Sequence, residues 1–209
     1  MSKTKNPNGV SRRSFLKGAG LSAAGATFVN SSIQATGEMA KGVGDSAARG
    51  PGAVPILLRI NGEEKKIVVE PRTTLADALR EELEMTGTKI SCDRGACSAC
   101  TVMIEGKPVC SCMTLAVEAE GREVTTIEGL ARNGKLHPVQ TEFVNHDAMQ
   151  CGFCTPGMVM SCAALLERNP NPSREDVQTA TSGNLCRCGT YPKVFDATLA
   201  AAKHREKGS

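Results

Sequence analysis

The stretch SCDRGACSAC, Ser91–Cys100, places three thiols within nine residues: Cys92, Cys97 and Cys100. Their spacing is C-x4-C-x2-C. That is the plant-type 2Fe–2S spacing, and it takes a fourth cysteine from further along the chain. Thiolates suit iron because they are soft, charged donors. Gly95 gives the loop the turning freedom it needs to fold around a cluster. The fourth thiol is Cys110 or Cys112, and spacing alone allows either.

The chain has 209 residues, with no Trp, one Tyr and five Phe. Aromatic side chains supply much of a small core, so this core is thin. A thin core calls for staples such as metals or disulfides, and the chain carries ten cysteines. Net charge is +3. The first 49 residues hold seven basic and two acidic residues, and the remaining 160 hold 18 basic and 20 acidic. The basic excess belongs to the N-terminal segment. The body has no basic stripe with stacking aromatics, which excludes a nucleic-acid-binding surface of the usual kind.

SRRSFLKG (Ser11–Gly18) precedes an uncharged stretch, Ala19–Val29. Eleven residues are too few to cross a bilayer as a helix, which takes about 20. They suit the apolar region of a signal peptide; a disordered basic tail is the alternative. Arg12 and Arg13 with Phe15 and Leu16 resemble the twin-arginine export signal. That resemblance implies transport of an already folded chain to the periplasm, with the membrane met only in transit. Thiols stay reduced in the cytosol, so a cluster can be loaded before export. Residues 30–53 read as a linker, and cleavage fits after Ala35 or Ala48.

The body divides into two patterns. Val54–Ile60 and Ile67–Glu70 read as strands joined by the turn NGEE. Thr74 caps a helix running to about Glu84, with Leu75, Ala78, Leu79 and Leu83 on one face. Thr101–Ile104, Val109–Cys110 and Glu123–Thr126 read as further strands, with EGKP as a turn. This predicts a β-grasp-like module over 54–127. From Leu130 the pattern is helical. His137–Val144 is one helix. A second starts with Thr155 as N-cap and Pro156 in the first turn, has an apolar face of Met158, Cys162, Leu165 and Leu166, and ends at NPNP. Ser173 with Asp176 opens a third, and Val194–Lys203 is the fourth. The overall expectation is an α+β chain: residues 1–53 signal and linker, 54–127 β-grasp, 128–205 all-α with four helices.

A second thiol set lies in the helical part: Cys151 and Cys154 in QCGFC, Cys186 and Cys188 in NLCRCG. A C-x2-C pair and a C-x-C pair fit iron–sulfur or zinc. Disulfides across the pairs are a further possibility, since C-x-C makes a strained bridge within itself. A Rieske centre needs two His ligands, and His137, His146 and His204 are not paired with these cysteines. They read as isolated surface residues. Cys162 reads as a core residue.

Taken together, the two sets in this order resemble the iron–sulfur subunit of the molybdenum hydroxylases, the xanthine dehydrogenase/aldehyde oxidoreductase family. TVMIEGKPVCSCMTLA, TTIEGLA, HPVQ, QCGFCTPGMVMS and GNLCRCGTY carry the resemblance, which covers residues 54–203. It implies a plant-type ferredoxin β-grasp domain followed by the helical domain, and a 2Fe–2S cluster in each. It implies Cys112 as fourth ligand of the first cluster, and Cys151, Cys154, Cys186 and Cys188 as ligands of the second. Gln150 and Cys188 would lie against the molybdopterin, so the second cluster would receive electrons first. The first cluster would pass them to flavin. The chain has no glycine-rich dinucleotide motif and no room for a molybdenum domain. Molybdopterin therefore belongs to a large partner subunit, and FAD to a further subunit or outside acceptor. The implied role is electron transfer during oxidation of aldehydes or N-heterocycles, with export favouring aldehydes. A stand-alone exported carrier or a zinc-stapled binding module is the rival reading. Where the family usually has Gly, this chain has Ser98.

Overall fold

Asn61-Gly62 sets the first hairpin. Both residues have positive φ, 55° and 84°, the geometry of a two-residue turn whose twist matches that of the flanking strands. In this computed structural model, which describes residues 50–206, the turn joins β1 (Val54–Ile60) to β2 (Glu63–Val69). The strands are antiparallel and pair from Val54↔Val69 to Ile60↔Glu63. Glu63 and Glu64 are therefore strand residues, not part of a four-residue turn. Glu105-Gly106 repeats the device with φ of 51° and 74°, joining β3 (Thr101–Ile104) to β4 (Lys107–Cys110). β5 (Glu123–Thr125) closes the sheet in the order β2-β1-β5-β3-β4. It pairs parallel to β1 and antiparallel to β3.

Thr74 caps the helix α1. Its hydroxyl accepts from the Asp77 amide at 3.1 Å and donates to the Asp77 carboxylate at 2.6 Å. α1 covers Leu75–Asp77 and continues as a π-helical turn, Ala78–Glu82. Leu75, Ala78 and Leu79 pack on Ile56, Leu58, Ile60, Val102, Ile104 and Val124. This is the sheet-and-helix arrangement of a β-grasp domain.

Four helices follow: α2 (Pro138–Asn145), α3 (Thr155–Arg168), α4 (Arg174–Ala180) and α5 (Tyr191–Glu206). Ser173 caps α4, and the Asp176 carboxylate accepts from the Ser173 amide at 2.8 Å, completing a capping box. The N-cap of α3 is Cys154, not Thr155. Its backbone is already helical in sense (φ −81°, ψ −12°), and its thiol makes no capping bond. Nor is α3 amphipathic. Gly157 through Leu166 are all buried, because the helix lies between α2 and α5 on one side and the sheet on another. Small side chains (Gly157, Ala163, Ala164) let it in. The α5 helix starts at Tyr191, three residues before Val194.

β3 shows how the two cores meet. All four of its residues are buried. Val102 and Ile104 face the β-grasp core, while Met103 packs with Phe143, Met158 and Cys162 of the helical core. Successive strand residues point to opposite faces, so one strand serves both cores. The three histidines are not isolated. His137 caps α2, its Nδ1 accepting from the Val139 amide at 3.3 Å. His146 and His204 both reach the buried carboxylate of Glu142, at 3.3 and 2.9 Å.

Among the described glycines, the tightest approach to another stretch of backbone is at Gly157. A Cβ there would lie 2.2 Å from the Ser98 carbonyl oxygen and 3.1 Å from Ala99. In an open helix Gly→Ala gains about 1 kcal/mol. Here the clash with rigid backbone reverses the sign. Gly157→Ala should destabilise the chain by about 1–3 kcal/mol, read as a lowered denaturant midpoint.

Candidate iron–sulfur centres

The first thiol loop runs from α1 to β3 with little regular structure, so its backbone groups are free to point inward. The Ala96 amide donates to Cys92 Sγ at 3.3 Å, and the Gly95 amide donates to Cys112 Sγ at 3.4 Å. Gly95 has a φ of 70°, which turns its amide toward the thiols. Cys97, Cys100 and Cys112 are buried, and Cys92 is half-buried. Cys112 reaches the loop because Ser111 is anchored. Its hydroxyl donates to the Cys100 carbonyl at 2.6 Å, and its side chain is fully buried. All ten cysteines lie within the described residues and all are free thiols.

The thiols act on one another: the Cys97 thiol favours the ionised form of Cys92, while the Cys112 thiol opposes ionisation of Cys100 and the Cys186 thiol that of Cys154. The Arg94 backbone amide, then the Cys97 thiol, bring Cys92 down to about 7. Burial pushes Cys100 up to about 12, with the Cys112 backbone amide acting against the rise and the Cys112 thiol with it. The second set repeats the contrast. Burial first, then Cys186, pushes Cys154 up to about 12. For Cys186 burial is the largest single effect and acts upward. Hydrogen bonds from Thr190, Cys154 and the Cys188 backbone together outweigh it and bring the thiol to about 7. Among the described residues, no group of three or more His, Cys, Asp or Glu is gathered around one point for a single metal ion.

Cys151 and Cys188 are exposed, and Gln150 beside Cys151 is exposed as well. The second set is therefore nearer the surface than the first. Its NLCRC loop is held by Tyr191. The phenol oxygen accepts from the Cys186 amide at 2.8 Å, and its O–H donates to the Asn184 carbonyl at 3.1 Å. The two thiol loops also touch. The Leu185 amide donates to the Cys97 carbonyl at 3.0 Å, and Asn184 Nδ2 donates to the Ser98 carbonyl at 3.1 Å. The motif GNLCRCGTY contains both Asn184 and Tyr191, but its spacing marks only the thiols and assigns those two residues no role, nor does it assign one to the amides of Gly95 and Ala96.

Comparison with known proteins agrees with this arrangement. Residues 58–131 match the 2Fe-2S iron-sulfur cluster binding domain, and residues 126–199 match the 2Fe-2S binding domain that follows it in such chains. The chain is 47% identical over 148 residues to the nicotine 6-hydroxylase small subunit of Paenarthrobacter nicotinovorans, covering 71% of this chain and 89% of the relative. It is 38% identical over 208 residues to the aldehyde oxidoreductase iron-sulfur-binding subunit PaoA of Escherichia coli O157:H7, covering 92% and 88%. Among solved structures it resembles quinoline 2-oxidoreductase from Pseudomonas putida 86, with a TM-score of 0.72 and 47% identity over 75% of this chain and 98% of that one. The chain belongs to the family of 2Fe–2S iron–sulfur subunits of the molybdenum hydroxylases. It has the family's β-grasp ferredoxin-like domain and helical domain.

Two outcomes follow from the loops. In metal-free chain, raising pH through 7 deprotonates Cys92 and Cys186, while Cys100 and Cys154 stay protonated until near 12. Iodoacetamide at pH 7.5 should label Cys92 and Cys186 well before Cys100 and Cys154, read by peptide mass spectrometry. Tyr191→Phe removes an acceptor from the Cys186 amide and a donor from the Asn184 carbonyl. It should cost about 1–3 kcal/mol and speed amide exchange over 184–188, while the first loop keeps its protection.

Proposed function

We propose that this chain is the electron-transfer subunit of an exported molybdenum hydroxylase, with Cys92, Cys97, Cys100 and Cys112 holding one 2Fe–2S cluster and Cys151, Cys154, Cys186 and Cys188 the other. The observation that carries the reading is the first thiol loop, where the Ala96 amide donates to Cys92 Sγ and the Gly95 amide to Cys112 Sγ, so that residues before and after β3 share one loop. A plant-type binuclear cluster takes three thiolates from such a loop and a fourth from further along the chain. A single zinc would need four sulfurs at about 2.3 Å from one point. The clusters, when bound, supply one-electron redox chemistry. The chain's own residues hold the thiolates, aim the Gly95 and Ala96 amides at sulfur, and keep Cys97, Cys100 and Cys112 from water. Such amide bonds and burial are what tune a cluster's potential.

The exposed Cys151, Cys188 and Gln150 support a surface where a partner's molybdopterin would dock, with Gln150 as a hydrogen-bonding amide and Cys188 as both ligand and contact. The buried first set then lies further along the route, toward an FAD subunit or another acceptor. The hydrogen bond from Leu185 to the Cys97 carbonyl joins the residue before Cys186 to the backbone of a ligand residue of the first set. The large partner is supported by relatives described as small or iron–sulfur subunits.

For substrate we favour an aldehyde over an N-heterocycle. The match to the aldehyde oxidoreductase subunit covers 92% of this chain and reaches into the N-terminal segment, while the match to the nicotine 6-hydroxylase subunit covers 71%. The signal around Arg12 and Arg13 lies outside the described residues; periplasmic export rests on its sequence.

Purified with its partners, the chain should carry about four iron and four acid-labile sulfide, with two paramagnetic signals on reduction. Stoichiometric zinc with half that iron would remove the second cluster from the reading. Arg12→Lys with Arg13→Lys should leave a folded, iron-loaded chain in the cytoplasm; undiminished export of that variant would exclude the twin-arginine route.

A further inference from the structure

Two thiols stand outside both ligand sets. Cys162 is fully buried on α3, and burial pushes it up to about 12, so it is a core residue. Cys110 is different. It is half-buried beside the first set and packs with Ala76, Cys100 and Cys112. Its Sγ lies 3.9 Å from the Gly95 carbonyl and 3.7 Å from the Ser98 hydroxyl. Cys112 approaches the same residue from its other side, accepting from the Gly95 amide at 3.4 Å. Ser111 between them is pinned to the Cys100 carbonyl through both its amide, at 3.3 Å, and its hydroxyl. One anchored residue thus carries a thiol on each side, and both thiols reach Gly95.

We infer that Cys110 is a reserve ligand of the first centre: when Cys112 is lost, the Cys110 sulfur takes the iron position that Cys112 held. The inference rests on the assignment of Cys92, Cys97, Cys100 and Cys112 to that cluster. The reach required is small, because Cys110 already lies against the loop that carries the other three thiols. The backbone can yield there. Cys110 is the last residue of β4, an edge strand that pairs only with β3. The exchange moves no electrons. The Cys110 S–H bond breaks, its proton passes to water, and the thiolate sulfur forms the bond to iron that Cys112 no longer makes. Ser98 bears on the geometry. With φ at 52° its backbone is in the left-handed region that favours glycine, and this turn presents its hydroxyl to Cys110. A glycine there would give Cys110 no such partner.

The test uses the full chain expressed with its partner subunits, with Cys112→Ala, Cys110→Ala and the double variant. Iron content, the low-temperature paramagnetic signals of the reduced protein, and iodoacetamide labelling of Cys110 are measured. Cys110→Ala should retain all the iron. Cys112→Ala should retain it too, with a shifted first-cluster signal and with Cys110, labelled in the native protein, now protected. The double variant should lose half the iron, its intact second-cluster signal showing that the chain is folded. If Cys112→Ala alone loses half the iron, the ligand assignment stands and the reserve role falls. If Cys110→Ala loses the iron and Cys112→Ala changes nothing, the assignment itself falls, and the inference with it. Should the alanine variant fail to fold, the isosteric Cys112→Ser reads the same signals, and labelled Cys110 in iron-replete Cys112→Ser overturns the reserve role.

Discussion

The closest constraint in the chain is the contact between the two thiol loops. Neither loop has regular secondary structure, so each must find partners for its own buried polar backbone groups. They find them in each other: Leu185 donates to the Cys97 carbonyl, and Asn184 to the Ser98 carbonyl. Gly157 makes this possible, since any Cβ at the start of α3 would displace Ser98. The β-grasp and helical halves have separate cores, yet their two thiol sets are positioned by one shared contact.

The second constraint is electrostatic. Burial raises Cys100 and Cys154 to about 12, so in the metal-free chain they are thiols at neutral pH. Iron ligation needs thiolates. Metal binding must then release protons, and its free energy is tied to the stability of the loops. The Gly95 and Ala96 amides donate to other sulfurs, those of Cys112 and Cys92, and Cys92 and Cys186 come down to about 7. Each set thus holds one thiol that ionises near neutrality and one that burial keeps protonated.

Local signals carried much of the fold. Asn61-Gly62 and Glu105-Gly106 are turn chemistry that acts within four residues, and Thr74 and Ser173 cap through their own side chains. These were legible without tertiary information. Where packing decided the outcome, the sequence misled. Glu63 and Glu64 look like turn residues, but pairing with Ile60 and Arg59 draws them into β2. Thr155 looks like a cap, but the chain is already helical at Cys154. The α3 face of Met158, Cys162, Leu165 and Leu166 is only part of a helix that is buried all round. Of the three histidines, His204 reads as a bare surface residue because its partner Glu142 lies 62 positions away, while His137 and His146 have partners within four residues. At the candidate site the thiols were plain from spacing, while the choice of Cys112 came from family resemblance. The supporting residues Tyr191, Asn184 and Gly157 act through contacts that no spacing encodes.

The composition explains why so much rests on these loops. The single Tyr of the chain, at position 191, packs only partly buried against the helical core while it also holds Asn184 and Cys186. The helical core uses Phe143, methionines and alanines around α3. Alanine and glycine allow close approach but bury little apolar area each, and buried area is what stabilises a core. A chain built this way leans on what its thiols bind. If the loops stabilise the fold only once loaded, the cluster-filled chain is the form fit to cross a membrane in the folded state.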